Sequence, residues 1–149
     1  MKINVFSIVK NDSLKPFYQD YIKQCRGIGI SLELFDLFPA HVAKAQKISA
    51  KEAQKSYTQT FSPHLSQHNV SLHPQGKMMD SFEFAQFLEG KSEICFFIGG
   101  AYGFEEEFLK KTTNISLSSL TFSHQIAKII LCEQIYRGGS INVKHPYHK

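Results

Sequence analysis

Five consecutive apolar residues, Ile94-Cys95-Phe96-Phe97-Ile98, run directly into Gly99-Gly100-Ala101-Tyr102-Gly103. A strand that alternates apolar and polar residues has one dry face, whereas a strand that is apolar at every position suits a sheet covered on both faces. Such a sheet needs layers above and below it. The glycine-rich turn marks the carboxyl end of this strand, and in open parallel sheets ligands sit outside those ends. The feature points to an α/β fold with a mainly parallel sheet, and to the turn as the first place to seek chemistry.

The rest of the chain alternates in the same sense. Ile3–Val9 reads as a strand that breaks at Asn11-Asp12-Ser13, and Leu14–Gln24 has helical spacing and ends at Gly27 and Gly29. Leu32–Phe38 is a second strand, stopped by Pro39. Ala40 to about Tyr57 is rich in Ala, Lys and Gln and reads as one polar helix. Pro63 to His73 suggests a short helix and then a short strand at Asn69–Leu72, and Pro74-Gln75-Gly76-Lys77 suggests a turn. Asp80 and Glu83 have the spacing of a capping box for a helix ending near Gly90. Phe104–Lys111 is a short helix with acids first and lysines last. Ile115–Leu117 is a short strand, and Ser123 caps a helix from His124 to Arg137 that Gly138-Gly139 ends. The 149 residues fit one domain, with no repeat or linker.

The turn Gly99–Gly103 has the pattern GGxxG. It lacks the GxGxxG spacing of dinucleotide folds, and no Lys-Ser/Thr pair follows to hold phosphate and magnesium. NAD and ATP are therefore disfavoured. Glycines let backbone approach a ligand, but the same composition also suits a turn that merely closes a strand-helix connection. Ser116–Phe122 is rich in hydroxyls and leads into a helix, so it can bond an adenine edge or ribose, or simply start the helix. The tail, His145-Pro146-Tyr147-His148-Lys149, together with Arg137, offers groups for phosphate contact, base stacking and proton transfer, or else a disordered polar end. His64 and His68 could share a helix face at metal-binding spacing, but no third ligand is evident and no metal site is expected.

Lys and Arg exceed Asp and Glu by 17 to 13, a mild excess that permits an RNA partner without demanding one. Cys25, Cys95 and Cys132 are too few and too far apart for a disulfide framework or a zinc knuckle, so reduced thiols in the cytoplasm are expected. Cys95 and Cys132 sit in apolar contexts that suit packing. No apolar run reaches the length of about 20 residues that crosses a bilayer.

IGGAYGF at Ile98–Phe104, SLSSLTFSHQIAKIILCEQIYR at Ser116–Arg137 and the terminal HPYHK resemble the bacterial ribosomal RNA large subunit methyltransferase H family. This is a compact group of the SPOUT class. LxxxGK at Leu72–Lys77 agrees with a motif upstream in that family. The resemblance is strong over 72–149 and weak before it. It implies an α/β knot in which the C-terminal segment threads a loop, against the usual rule. It also implies a homodimer and S-adenosyl-L-methionine as methyl donor. The acceptor it implies is N3 of pseudouridine 1915 in helix 69 of 23S ribosomal RNA. By motif, the donor site takes in Leu72, Gly99, Leu117, Ser118, Ser119, Leu120, Thr121 and Phe122, with Gly100 and Gly103 shaping the same wall. Two positions depart from the pattern: His73 stands where an Asp is usual, and Gly138-Gly139 where a small residue and then a bulkier one are expected.

Methyl transfer is an in-line displacement whose gain comes mostly from positioning. The imide N3 must also lose a proton, which makes a base useful. His148 and His145 are the candidate bases, with Tyr147 and Arg137 orienting or clamping RNA; the alternative is that both histidines only bind phosphate. A chain this short leaves little surface for a separate RNA domain. One subunit's tail is therefore expected to complete the other's site, on a substrate presented as the assembled ribosome and read by shape. The rival readings are a non-catalytic ribosome- or RNA-binding module of the same fold, and an α/β enzyme using another nucleotide cofactor.

Overall fold

The computed structural model describes residues 1–149. Five strands form one sheet: β1 (Lys2–Ile8), β2 (Ser31–Leu37), β3 (Asn69–Met78), β4 (Glu93–Ile98) and β5 (Thr113–Ser116). Their order is β2-β1-β4-β3-β5, and every pairing is parallel. The apolar run is β4, near the middle of the sheet, paired with β1 from Lys2↔Glu93 to Ser7↔Ile98. Ile94 to Ile98 are all buried, as a strand covered on both faces requires.

Alternate residues of the strands face two separate cores. On one side Ile3, Val5, Ile94 and Phe96 pack beneath α1 (Lys15–Gly27), α4 (Ser81–Leu88) and α6 (His124–Asn142). On the other side Phe6, Ile8, Cys95 and Phe97 meet α2 (Ala40–Gln46), α3 (Ala50–Phe61) and α5 (Glu106–Leu109). This second core is aromatic: Phe97 meets Phe61 and Phe108 edge-on at 5.1 and 5.2 Å, and Phe104 stacks on Phe108 at 5.5 Å. No helix is long and apolar enough to cross a membrane.

Several local expectations hold. Asp80 and Glu83 form the reciprocal capping box of α4, and the Ser123 hydroxyl accepts from the Ile126 N–H at the start of α6. Others need correction. Gly138-Gly139 does not end α6, which continues to Asn142 with both glycines buried. A Cβ on Gly138 would lie 3.1 Å from Leu88 Cδ1, and one on Gly139 2.5 Å from Ile30 Cδ1. These glycines buy close approach to α4 and to the start of β2 at some cost in helix propensity.

The expected polar helix over 40–57 is two helices. They are broken at Lys47-Ile48-Ser49, where the Ser49 hydroxyl caps α3 by accepting from Glu52 N–H. Nor is Pro74–Lys77 a simple turn. Leu72 and Lys77 both align with Ile115 of β5, so the residues between them loop outward as a large bulge inside β3. Gly76 closes that bulge: a Cβ there would fall 2.6–2.7 Å from the backbone of Asn114 and Ile115. The expected helix over 104–111 shortens to α5. His64 lies in a single 3-10 turn (Ser62–His64) and stacks on Phe6 at 4.4 Å. No group of three metal-ligating residues forms.

Candidate active site

The carboxyl ends of β3, β4 and β5 open onto a cavity of about 550 Å³, within the range of small-molecule sites. The turn after β4 supplies Gly99, Gly100, Ala101 and Gly103, with Ile98 and Phe104 at its ends. The loop from β5 to α6 supplies Leu117, Ser118, Leu120, Thr121 and Phe122. The β3 bulge supplies Leu72, His73 and Pro74, and the first turn of α6 supplies Ser123, His124 and Ala127. Every residue expected at the donor site lines this cavity except Ser119, which is exposed and stands outside the lining.

The shape of the glycine turn has long-range causes. A Cβ on Gly100 would lie 2.6 Å from the Tyr57 ring. That ring is fully buried, and its hydroxyl donates to Gln46 Oε1 at 2.5 Å. Burial pushes the Tyr57 hydroxyl above its ordinary pKa, so it stays a neutral donor. Gln54 Nε2 donates to the Tyr102 carbonyl at 2.8 Å. Helices α2 and α3 thus brace the turn from behind, a task their polar sequence did not disclose. Gly103 holds φ +75, where side chains are disfavoured.

The β5–α6 loop is built by its own hydroxyls. Ser116 Oγ donates to the Ser118 carbonyl at 2.8 Å, and Ser118 Oγ accepts from Leu120 N–H at 3.1 Å. Leu117, Thr121 and Phe122 make no main-chain hydrogen bond within the chain. Their donors and acceptors remain free for a ligand edge, beside apolar walls from Leu72, Ile98 and Phe122. No Lys, Arg, Asp or Glu lines the cavity.

The first turn of α6 is pinned by the loop after β1. Ser13 Oγ donates to Gln125 Oε1 at 3.1 Å, and Gln125 Nε2 donates to the Asn11 carbonyl at 3.0 Å. Next to Ala127, Lys128 is only 1% exposed and binds Asp12 Oδ2 at 2.6 Å and Asp36 Oδ1 at 2.7 Å. The Tyr18 hydroxyl donates to Asp12 at 2.9 Å. Sequence reasoning missed this cluster. The available signal was a lysine set among Ile126, Ala127, Ile129, Ile130 and Leu131 in a core helix, where a buried charge needs a partner.

The tail residues gather elsewhere. Glu133 accepts from Arg137 Nε at 2.9 Å, from Arg137 Nη2 at 2.6 Å and from the Tyr147 hydroxyl at 3.0 Å. Arg137 lies 4.9 Å over the Tyr147 ring, and its Nη1 meets His148 Nδ1 at 3.1 Å. Glu133 raises the Arg137 pKa; burial first, and then Glu133, raise that of Tyr147. Arginine can only donate, so His148 Nδ1 accepts and the proton of the neutral ring sits on Nε2. His148 also meets the Phe82 ring edge-on at 4.8 Å. His145 is exposed, 6.3 Å from the Tyr136 ring centre. None of these residues lines the cavity. Arg137 stands thirteen residues along α6 from His124, about 20 Å by helical rise. Within one chain the two halves of the expected site are apart. The thiols of Cys25 and Cys132 are buried and pushed up to about 12 by desolvation, which leaves them inert.

A family model described as "Predicted SPOUT methyltransferase" matches residues 1–148. The ribosomal RNA large subunit methyltransferase H of Helicobacter pylori strain J99 is 54% identical over the full length of both chains. That of Helicobacter hepaticus is 47% identical, again over the full length of both. Among solved structures, a probable methylase family protein from Haemophilus influenzae Rd KW20 superposes with a TM-score of 0.55 at 11% identity, covering 99% of this chain and 70% of that one; this likeness speaks to the fold. These matches run over the whole chain, and the chain belongs to the SPOUT methyltransferase family, in its ribosomal RNA large subunit methyltransferase H group.

Proposed function

We propose that the chain transfers a methyl group from S-adenosyl-L-methionine to N3 of pseudouridine 1915 in 23S ribosomal RNA, presented in the assembled ribosome. The observation that carries the donor assignment is the chemistry of the cavity. It has apolar walls, free main-chain groups and no cation to grip phosphate. That donor set fits a nucleoside without phosphates and disfavours NAD and ATP.

When bound, the donor supplies a methyl group on a sulfonium. The chain's own residues hold and orient it. Leu72, Ile98 and Phe122 exclude water, Leu117, Thr121 and Phe122 offer main-chain donors and acceptors to the adenine edge, and Gly99 lets the turn approach closely. The cavity lacks a carboxylate or lysine to take the acceptor's proton, its titratable side chains being His73 and His124; the resemblance assigns that task to the tail. His148 Nδ1 is occupied by Arg137. Either His145 accepts the proton, or Arg137 releases His148 on meeting RNA.

The tail reaches a donor cavity if a second copy of the chain presents it. Exposed apolar side chains support this: Leu120 is 70% exposed at the cavity, Ile126 is 43% exposed on the first turn of α6, and Phe82 is 60% exposed beside His148. The same reading includes the knotted C-terminal segment that the family resemblance implies; α6 packs with α1 and α4 on one face of the sheet.

Purified ribosomes lacking the modification, incubated with the protein and labelled donor, should gain methyl label at one nucleotide. No incorporation would refute the assignment and favour a non-catalytic RNA-binding module. Calorimetric titration should show S-adenosyl-L-methionine binding where NADH and ATP do not; tighter NADH or ATP binding would favour another nucleotide cofactor. An Ile126→Glu protein that sediments as a monomer yet keeps full activity would refute the shared site. His145→Ala and His148→Ala enzymes that both keep full single-turnover methylation would remove the base assignment.

A further inference from the structure

At the amino-terminal end of β3 and β5, away from the donor cavity, lies a second hollow of about 260 Å³. The residue before β3 gives it His68, the end of α4 gives Phe87, the loop from α4 to β4 gives Lys91, and the segment from α5 into β5 gives Lys110, Lys111 and Thr113. Three lysines and a histidine meet there, and no Asp or Glu lines it. In a chain whose basic residues exceed its acidic ones by only 17 to 13, this is a local concentration of positive charge.

The charge is poorly cancelled. Lys91 Nζ donates to the Phe87 carbonyl and lies 4.5 Å over the Phe87 ring, two neutral partners that fix the ammonium in place. Lys110 is 3.6 Å from Glu107, but both side chains are largely exposed and the pair is weak. Lys111 has no carboxylate within ion-pair distance. A hollow with fixed and mobile cations and a threonine hydroxyl suits a phosphate oxyanion.

We infer that this hollow seats a backbone phosphate of the RNA substrate, remote from the target base. The inference rests on the RNA-methylating reading above. Strand β4 rises about 17 Å between the level of the hollow and that of the cavity, so the phosphate belongs to another part of the RNA than the methylated nucleotide. Such a contact carries no sequence information. It fixes register and orientation, which a single-domain enzyme with no separate RNA module needs.

The test compares K110Q/K111Q, the charge-keeping K110R/K111R, and K47Q/K51Q, which loses equal charge on α2–α3. Ribosome binding is measured across a salt series, alongside donor affinity and methylation at saturating ribosome. K110Q/K111Q should lower the slope of log K against log salt by about 1 and raise the KM for ribosomes several-fold. Its donor affinity and its rate at saturation should stay as in wild type. K110R/K111R should behave as wild type, and K47Q/K51Q should change the slope little. An unchanged slope and KM in K110Q/K111Q would overturn the inference, as would an equal effect in K47Q/K51Q. Inorganic phosphate that binds the hollow without competing with ribosomes would also overturn it, marking a free-anion site. If wild type itself fails to methylate ribosomes, the functional reading fails first, and the binding slopes still decide the hollow.

Discussion

Replacing Lys128 by methionine should destabilise the fold by about 3–5 kcal/mol at neutral pH, the cost of leaving one partner of a buried ion pair uncompensated. Methionine keeps the length and packing of the stem and removes the charge. Lys128 is 1% exposed, the Asp12 side chain is fully buried and that of Asp36 is one-quarter exposed; Asp36 keeps water and Lys15, 4.0 Å from its Oδ2, so the cost falls mainly on Asp12. Asp12 keeps the Leu14 N–H and the Tyr18 hydroxyl, both at 2.9 Å, which favours the lower end of that range.

The pH dependence fixes the sign. In the wild type, burial alone would raise the Asp12 carboxyl. Hydrogen bonds from Lys128, Leu14 and Tyr18 more than offset it and hold the group below its ordinary value. A depressed carboxyl contributes stability above its unfolded pKa of about 3.9, and that stability is lost as pH falls through the folded value. Wild type should therefore keep this contribution down to about pH 4. In Lys128→Met the main lowering cause is gone while burial, which raises the group, remains, so the Asp12 pKa moves up and protonation relieves the variant of a buried carboxylate that has lost its cation. The deficit of the variant should shrink between pH 7.5 and pH 5. Urea unfolding at both pH values measures it. A deficit under about 1 kcal/mol, or one unchanged with pH, would refute the account. The triple variant D12N/D36N/K128M, with no charge left to bury, should recover part of the loss.

Gly100→Ala drives a methyl into the buried Tyr57 ring; overpacking of about 1–3 kcal/mol should reshape the turn and weaken donor affinity at least several-fold by calorimetry, and wild-type affinity would contradict the bracing role of α3. Gly76→Ala meets the β5 backbone itself, which has no rotamer with which to yield, so thermal unfolding should show a larger loss than Gly27→Ala, where the added carbon meets nothing. Thiols raised to about 12 at Cys25 and Cys132 should resist iodoacetamide at pH 8 in the folded protein and react in urea, as mass spectrometry would count.

Features set by neighbouring residues were legible in the sequence. The all-apolar β4, the Asp80–Glu83 box and the Ser123 cap each depend on a few consecutive residues, and each stands as expected. The loops that wall the cavity were legible because glycine and hydroxyl residues cluster within single loops. Features set by distant partners were not legible. Gly138-Gly139 carries the local signature of a helix end, yet α6 passes through it because Leu88 and Ile30 approach from other elements. The partners of Lys128 could not be read from its helix, since Asp12 and Asp36 lie 116 and 92 residues away. The helix expected over 40–57 read as a solvated element because Tyr57 is buried by the turn at Gly100, 43 positions on. Ser119 shares the composition of its loop but not its orientation, and composition does not distinguish the two.

The glycine pair inside α6 also bears on how such a chain can change over generations. Space beside Gly139 is filled by the ends of Ile28 and Ile30, and space beside Gly138 by Leu88 and the backbone of Ala85. A bulkier side chain at 139 has room only if 28 or 30 shrinks, and one at 138 only if 88 does. Substitutions at these positions should therefore be inherited in compensating sets, and an alignment of relatives should show volume trading between 139 and the pair 28/30 while their sum stays nearly constant.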